Sequence, residues 1–264
     1  MKKIYSVVLM FGLMLFSDLV LATTAKKLAE EAFFMIEQDP LSLTNWEEAR
    51  LLIQRAYARD SSESWVAIAQ SRLTLSEGYK VGQRHKLKSY DERAVQLARK
   101  QAEQAVKNGS DHAMAHVQLA MVQTIQGELR KAWEHLNIAD SLDEQSFYPW
   151  YLRTVIAIHN KDEAFAKRGF EEIETKIRHD YQRRLLLHER IRLAKLTKNL
   201  NERDRLHRAM IDLEPNYAYA WGNYGSFLLA QKRYREAAHY LEKAVSINPY
   251  PLAVNQLEEA RSKL

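Results

Sequence analysis

Apolar residues recur along most of the chain at the spacing of one face of an α-helix. Within residues 218–249 they form two groups separated by polar residues, namely Trp221, Tyr224 and Leu228, then Leu241 and Val245. This period predicts a pair of amphipathic helices. Gly and Pro number only 8 and 5, too few for the many turns of an all-β chain. The pattern therefore predicts an all-α fold.

The helical pattern repeats with a period of 34 residues. Ala132 and Ala166 are 34 positions apart, and so are Pro215 and Pro249. A helix pair of this length cannot bury its apolar face alone and must stack on its neighbours. The period therefore predicts a solenoid of stacked helix pairs.

Residues 218–249 resemble the tetratricopeptide repeat. The positions that define the family pattern hold allowed residues in the order Trp221, Gly225, Ala237, Leu241, Ala244 and Pro249. Small residues such as Gly225 and Ala237 let the two helices approach closely, and a proline ends the repeat. The resemblance implies an all-α, right-handed α-α superhelical solenoid of tetratricopeptide-like helix pairs, with a capping helix over residues 251–263.

The repeat frame extends over most of the chain as a single domain, residues 23–264. We predict the clearest repeats at residues 113–146, 147–180 and 215–249, and divergent repeats at residues 24–60, 62–111 and 181–214. Extra residues, mostly 78–90, separate the two helices of the second divergent repeat. A three-residue offset precedes the third. Thr44 and Glu47 have the spacing of a capping box and predict a helix start at that point.

The N-terminus has the order of a secretory signal peptide. Lys2 and Lys3 precede an apolar run over residues 4–16, and small residues follow up to Ala22. We predict cleavage after Ala22, an exported and periplasmic mature protein, and no stable membrane insertion after cleavage. The alternative is an uncleaved anchor, although Asp18 leaves the run shorter than the ~20 apolar residues that a membrane span needs.

No sequence motif predicts catalysis, a metal site or a cofactor. The chain has no cysteine, and it lacks the patterns of hydrolase, nucleotide-binding and zinc-protease sites. His112 and His116 share a helix face, but His116 falls on the repeat's Trp position, which favours packing over metal binding. An enzyme whose site lies in residues 79–90 is the least favoured alternative, since only His85, Ser89 and Asp91 offer chemistry there.

The resemblance also implies a concave groove lined by the first helix of each repeat. Carried over residue by residue, the partner-binding positions are Met114, Val117, Met121, Tyr148, Tyr151, Val155 and Tyr219. The groove would take a segment of another protein, which predicts a non-enzymatic scaffold or adaptor of the bacterial cell envelope. The alternative is that neighbouring helices fill the groove, so that these side chains belong to the core.

Two basic segments offer a different function. Residues 178–208 carry ten Lys or Arg against four acidic residues, and residues 79–100 carry seven against two. They are most simply solvated helix faces. The alternative is a cytosolic or membrane-anchored regulator that binds an acidic partner through these patches. Nucleic acid is not expected, because the chain has a predicted leader and the patches lack aromatic stacking platforms.

Overall fold

The computed structural model describes residues 23–39, 42–79 and 90–264, and this part of the chain is built from α-helices with only one isolated bridge, between Tyr79 and Tyr90. The helices are α1 (Ala25–Gln38), α2 (Leu43–Arg59), α3 (Ser64–Glu77), α4 (Glu92–Asn108), α5 (Ala113–Gln126), α6 (Leu129–Leu142), α7 (Phe147–His159), α8 (Glu163–Lys176), α9 (Asp180–Leu196), α10 (Leu200–Leu213), α11 (Ala218–Ala230), α12 (Tyr234–Ile247) and α13 (Pro251–Arg261). The predicted all-α helical-repeat fold is confirmed. The predicted leader, residues 1–22, and most of the predicted insertion lie outside the described residues.

The chain divides into two compact units, one ending at Leu152 and the other beginning at Arg153. In the first unit each helix packs on the next, and α1 packs on both α2 and α3. The face of α4 that enters the core is a row of small side chains, Ala98, Ala102 and Ala105, all fully buried. Alanine rows of this kind let neighbouring helices approach closely and so explain the tight stacking.

The second helix, α2, begins at Leu43 because Ser42 caps it. The Ser42 side chain accepts a hydrogen bond from the Asn45 amide, 3.2 Å away. The expected cap at Thr44 is therefore wrong by two positions, since Thr44 already lies inside the helix. Both residues are good N-caps, and the sequence offers the two within one short stretch.

In the second unit, α11 and α12 form the most closely packed pair. Tyr224, Leu228 and Leu241 are fully buried between them. A Cβ added to Gly225 would lie 2.6 Å from the Cγ atom of Leu241. Gly225 is therefore the point of closest approach between α11 and α12.

The turns inside successive helix pairs share a left-handed backbone residue. Gly127, Lys161, Lys198 and Lys232 have φ angles of 80°, 61°, 55° and 60°, and they follow one another at intervals of 34, 37 and 34 residues. A left-handed residue ends a helix by turning the chain away from its axis. The longer interval corresponds to α9, which has 17 residues where α11 has 13. The extra residues lengthen a helix and leave the turn unchanged.

Candidate partner-binding surface

In the first unit, α1 lies against first helices of the repeats. Phe33, which is 1% exposed, meets Trp65 of α3 edge-on, with ring centroids 5.6 Å apart. Phe33 also meets Tyr148 at the start of α7, with centroids 6.1 Å apart. Tyr148 is therefore covered by α1.

A buried ion pair accompanies this aromatic contact. Glu37 of α1 is 3% exposed and accepts a hydrogen bond from the Arg72 guanidinium of α3. The Tyr148 hydroxyl lies 3.4 Å from the other carboxylate oxygen of Glu37. Burial lowers the pKa of Arg72, but the charge and hydrogen bond of Glu37 more than offset this and raise it overall. Burial raises the pKa of the nearby Tyr90. The three groups Glu37, Arg72 and Tyr148 thus join α1, α3 and α7 by polar contacts inside the unit.

The predicted partner-binding residues divide into two sets. Val117 and Tyr148 are buried, which matches the alternative that such positions belong to the core. The other five are only half-buried: Met114, Met121 and Tyr151 in the first unit, and Val155 and Tyr219 in the second. Tyr151 stacks on Phe147 with ring centroids 5.4 Å apart, which fixes its ring while leaving one side in reach of solvent.

In the second unit, the segment that opens α13 covers part of the α11 surface. Tyr250 stacks on Tyr219 at a centroid distance of 4.6 Å, and its hydroxyl lies 1.8 Å from where a Cβ on residue 222 would be, so a side chain at Gly222 would displace the Tyr250 ring. Ser226 lies 2.6 Å from the side-chain oxygen of Gln256 in α13. Tyr219 therefore marks the edge of a surface whose centre is already packed. Sequence reasoning missed Tyr250, because it lies outside the repeat's defining positions.

The remaining defining positions of the last repeat form its packing contacts. Ala237, Leu241 and Ala244 are fully buried. The indole nitrogen of Trp221 donates a hydrogen bond to the Pro215 carbonyl, at 2.8 Å, and so anchors the helix to the preceding turn. Pro249 is exposed just before α13 begins at Pro251.

Most basic residues of the 178–208 patch are engaged in ion pairs. The pairs are Arg183–Asp180, Arg184–Glu214, Arg190–Glu174, Arg192–Glu189, Arg205–Glu202 and Arg208–Asp204. Two of these acids, Glu214 and Glu174, lie outside the segment and reduce its excess charge. Burial raises the pKa of Glu189, and the charge of Arg192 opposes that rise. These two outside acids lower the excess positive charge of the segment, and the ion pairs engage six of its ten basic side chains.

Other chemistry is limited in the part of the chain that the structure describes. No three His, Cys, Asp or Glu side chains there are arranged to hold a metal ion. His112 meets Trp65 edge-on at 5.2 Å, and His116 is buried. None of the described helices is both long and apolar enough to cross a bilayer.

Comparison with known families agrees with the geometry of the last helix pair. The family model described as tetratricopeptide repeat matches residues 218–251. The chain contains a tetratricopeptide repeat. The resemblance predicted from Trp221 to Pro249 is thereby confirmed, and the match covers α11, α12 and the first residue of α13. No curated protein matches the chain in sequence.

Solved structures share the fold across most of the chain. Yeast Tom70 is 15% identical with a TM-score of 0.61, and the match covers 93% of this chain and 48% of that one. A Cut9 and Hcn1 complex of the APC/C is 16% identical with a TM-score of 0.58, covering 89% and 46%. PilW, described as a widely conserved type IV pilus biogenesis factor, is 11% identical with a TM-score of 0.56, covering 88% and 98%. At these identities the likeness concerns the fold alone. The chain spans about half the length of the first two relatives.

Proposed function

We propose that this tetratricopeptide-repeat chain is a non-catalytic scaffold of the bacterial cell envelope that binds a segment of a partner protein on the first-helix face of its repeats. One observation carries the proposal: each of the two units has apolar or aromatic side chains at the groove positions that are only half-buried, Met114, Met121 and Tyr151 in the first unit and Val155 and Tyr219 in the second. Flexible Met side chains adapt to varied ligands, and aromatic side chains anchor them.

The cell-envelope part of the proposal is supported by the N-terminal sequence and by one structural relative. Lys2, Lys3 and the apolar run to residue 16 have the order of an export signal. PilW, whose fold is similar, is described as a pilus biogenesis factor. The rival function, binding an acidic partner through residues 178–208, is less supported because so many of those basic residues are ion-paired.

The binding surface can be tested with two tyrosine variants. A photoreactive residue at position 121 would first identify the partner by crosslinking in intact cells. Tyr151→Ala and Tyr219→Ala should then each weaken partner binding by about 2 kcal/mol or more, roughly thirtyfold, because aromatic anchors carry a large share of binding energy. Affinity is measured by titration calorimetry with the purified partner, alongside thermal unfolding of each variant.

Two variants serve as controls. Tyr57→Ala removes a tyrosine that is 55% exposed on α2, away from the groove positions, and should change neither readout. Leu136→Ala removes a fully buried side chain and should lower the free energy of unfolding by about 2–5 kcal/mol. If Tyr151→Ala and Tyr219→Ala unfold as early as Leu136→Ala, these tyrosines are core residues. If they unfold normally and bind the partner fully, the surface is not the binding site.

Export is tested separately, by mass spectrometry of the protein purified from cell fractions. The mature chain should begin at Thr23 and be recovered from the periplasmic fraction. A full-length cytoplasmic form as the main species would contradict the envelope role and leave the binding surface to be decided by the tyrosine variants.

A further inference from the structure

Two histidines form a hydrogen-bonded pair between α5 and α6. The Nδ1 atoms of His116 and His135 are 2.9 Å apart, and His116 is 4% exposed. Their ring centroids are 5.2 Å apart, a separation that places both nitrogens close to the line between the ring centres. This is the geometry of a straight N–H···N hydrogen bond, whereas a shared metal ion would need the two lone pairs to converge at an angle.

The position of each proton follows from a third contact. The Nε2 atom of His116 lies 2.9 Å from the Ser110 carbonyl oxygen, which can only accept, so Nε2 carries a hydrogen. In a neutral His116 the Nδ1 atom is then an acceptor, and the Nδ1 atom of His135 must donate. The neutral pair therefore has one defined arrangement of protons.

The last repeat fills the same two positions with residues that do not titrate near neutral pH. Trp221 and Tyr240 have the same 19-residue separation as His116 and His135, and their rings also pack together, with centroids 5.8 Å apart. Trp221 donates its ring N–H to the carbonyl six residues earlier, as His116 does. The α5–α6 pair thus has two ionisable imidazole rings in a packing slot that holds Trp and Tyr in the last repeat.

Few acidic side chains lie near the histidine pair to compensate the positive charge that protonation would add. Burial, followed by the charge of His116, lowers the pKa of His135, and Glu134 on α6 opposes this. At the start of α5, burial and Lys26 of α1 lower the pKa of His112, while Glu63 and Asp111 act in the opposite direction. The core-facing side of α4 is apolar, consisting of Val95, Ala98, Ala102 and Ala105.

We propose that the His116–His135 pair is a pH-sensitive switch that makes the α5–α6 helix pair open more readily in acid. The folded pair can bind one extra proton on the Nε2 atom of His135 and keep its hydrogen bond. A second proton, on Nδ1 of His116, would leave two N–H donors facing each other across 2.9 Å with no acceptor. In the unfolded chain both rings take a proton below pH about 6.5. The α5–α6 pair is therefore stabilised by this contact above that pH, and the stabilisation is lost as pH falls below it.

The test is hydrogen exchange at pH 7.5 and pH 5.0, comparing the wild type with the double variant His116→Trp/His135→Tyr. The variant copies the Trp221–Tyr240 pair of the same chain, and the ratio of the two proteins' exchange rates cancels the pH dependence of intrinsic exchange. If the folded pair binds one proton fewer than the unfolded chain, the opening equilibrium changes about tenfold per pH unit below 6.5. The ratio of the wild-type to the variant exchange rate on α5 and α6 should therefore be about thirtyfold higher at pH 5.0 than at pH 7.5. The ratio on α11 and α12 should not change. An equal ratio at both pH values on α5 and α6 would overturn the switch.

A second measurement uses the wild type alone, should the double variant fail to fold. Nitrogen-15 NMR of the imidazole rings at pH 7.5 should show hydrogen on Nε2 of His116 and on Nδ1 of His135. Two rings that titrate independently near pH 6.5 would overturn the proposal. Because α5 also carries Met114 and Met121, loss of partner binding in acid would follow from the proposed function, but neither measurement depends on it.

Discussion

Breaking the buried ion pair between α1 and α3 should cost a large part of the first unit's stability. Arg72→Met would leave the Glu37 carboxylate, 3% exposed, without its cationic partner. Removing one member of a buried pair typically costs about 3–5 kcal/mol, because the remaining charge is buried without compensation. In a chain of this size 1 kcal/mol corresponds to about 2–4 °C, so the melting temperature should fall by roughly 10 °C. Replacing both members by apolar residues, Glu37→Leu with Arg72→Met, should recover most of that loss.

Urea denaturation of both single variants and the double variant gives the coupling energy of the pair, and hydrogen exchange locates the damage. An internal control is the exposed pair formed by Arg50 and Glu77, which also joins a helix to α3, with side chains 48% and 37% exposed. Arg50→Met should cost at most about 1 kcal/mol. The reasoning fails if Arg72→Met costs no more than Arg50→Met, since burial would then not determine the value of either pair.

Three further predictions concern the second unit. Gly225→Leu should destabilise α11–α13 by about 1–3 kcal/mol or more, since its first added carbon falls 2.6 Å from Leu241; hydrogen-exchange protection lost evenly along the chain would contradict this. Burial, and then Arg203, lowers the pKa of His207 to about 4, so its contribution of about 3 kcal/mol is present above pH 6.5 and lost as pH falls to 4. Between pH 7 and pH 4.5, the free energy of unfolding measured with urea should fall less for His207→Phe than for the wild type; an equal fall in both proteins would refute this. Lys232 has a φ of 60°, a left-handed conformation that favours glycine, so Lys232→Gly should raise the free energy of unfolding by up to about 1 kcal/mol. A lower midpoint in urea denaturation would contradict this.

The repeat fold could be predicted because its packing repeats in sequence. Ala132 and Ala166 are both fully buried at the same place in their repeats, and the 34-residue spacing shows that place without a structure. The three-residue offset before residues 181–214 was also visible, and it corresponds to the longer helix α9. Position within the repeat therefore carries reliable information about local packing.

Exposure at the groove positions was harder to predict, because it depends on contacts outside the repeat. Tyr148 and Tyr151 are both predicted groove positions of one helix, yet Tyr148 is buried and Tyr151 is only half-buried. The difference comes from Phe33 and Glu37, which belong to α1 and have no periodic relation to Tyr148. The His116–His135 hydrogen bond was missed for a similar reason, since only His116 falls on a defining position.

The contact between α1 and Tyr148 has a consequence for synthesis on the ribosome. Glu37 and Tyr148 are separated by 111 residues, whereas α1 meets α2 and α3 almost at once. At ~5–20 residues per second, the tyrosine is made about 5–20 s after the glutamate. During that interval Phe33 lacks one of its aromatic neighbours, and an apolar surface on the nascent chain stays open to chaperones. Of the described helices, α1 is thus made first, yet its contact with Tyr148 can form only after the start of α7 has been synthesised.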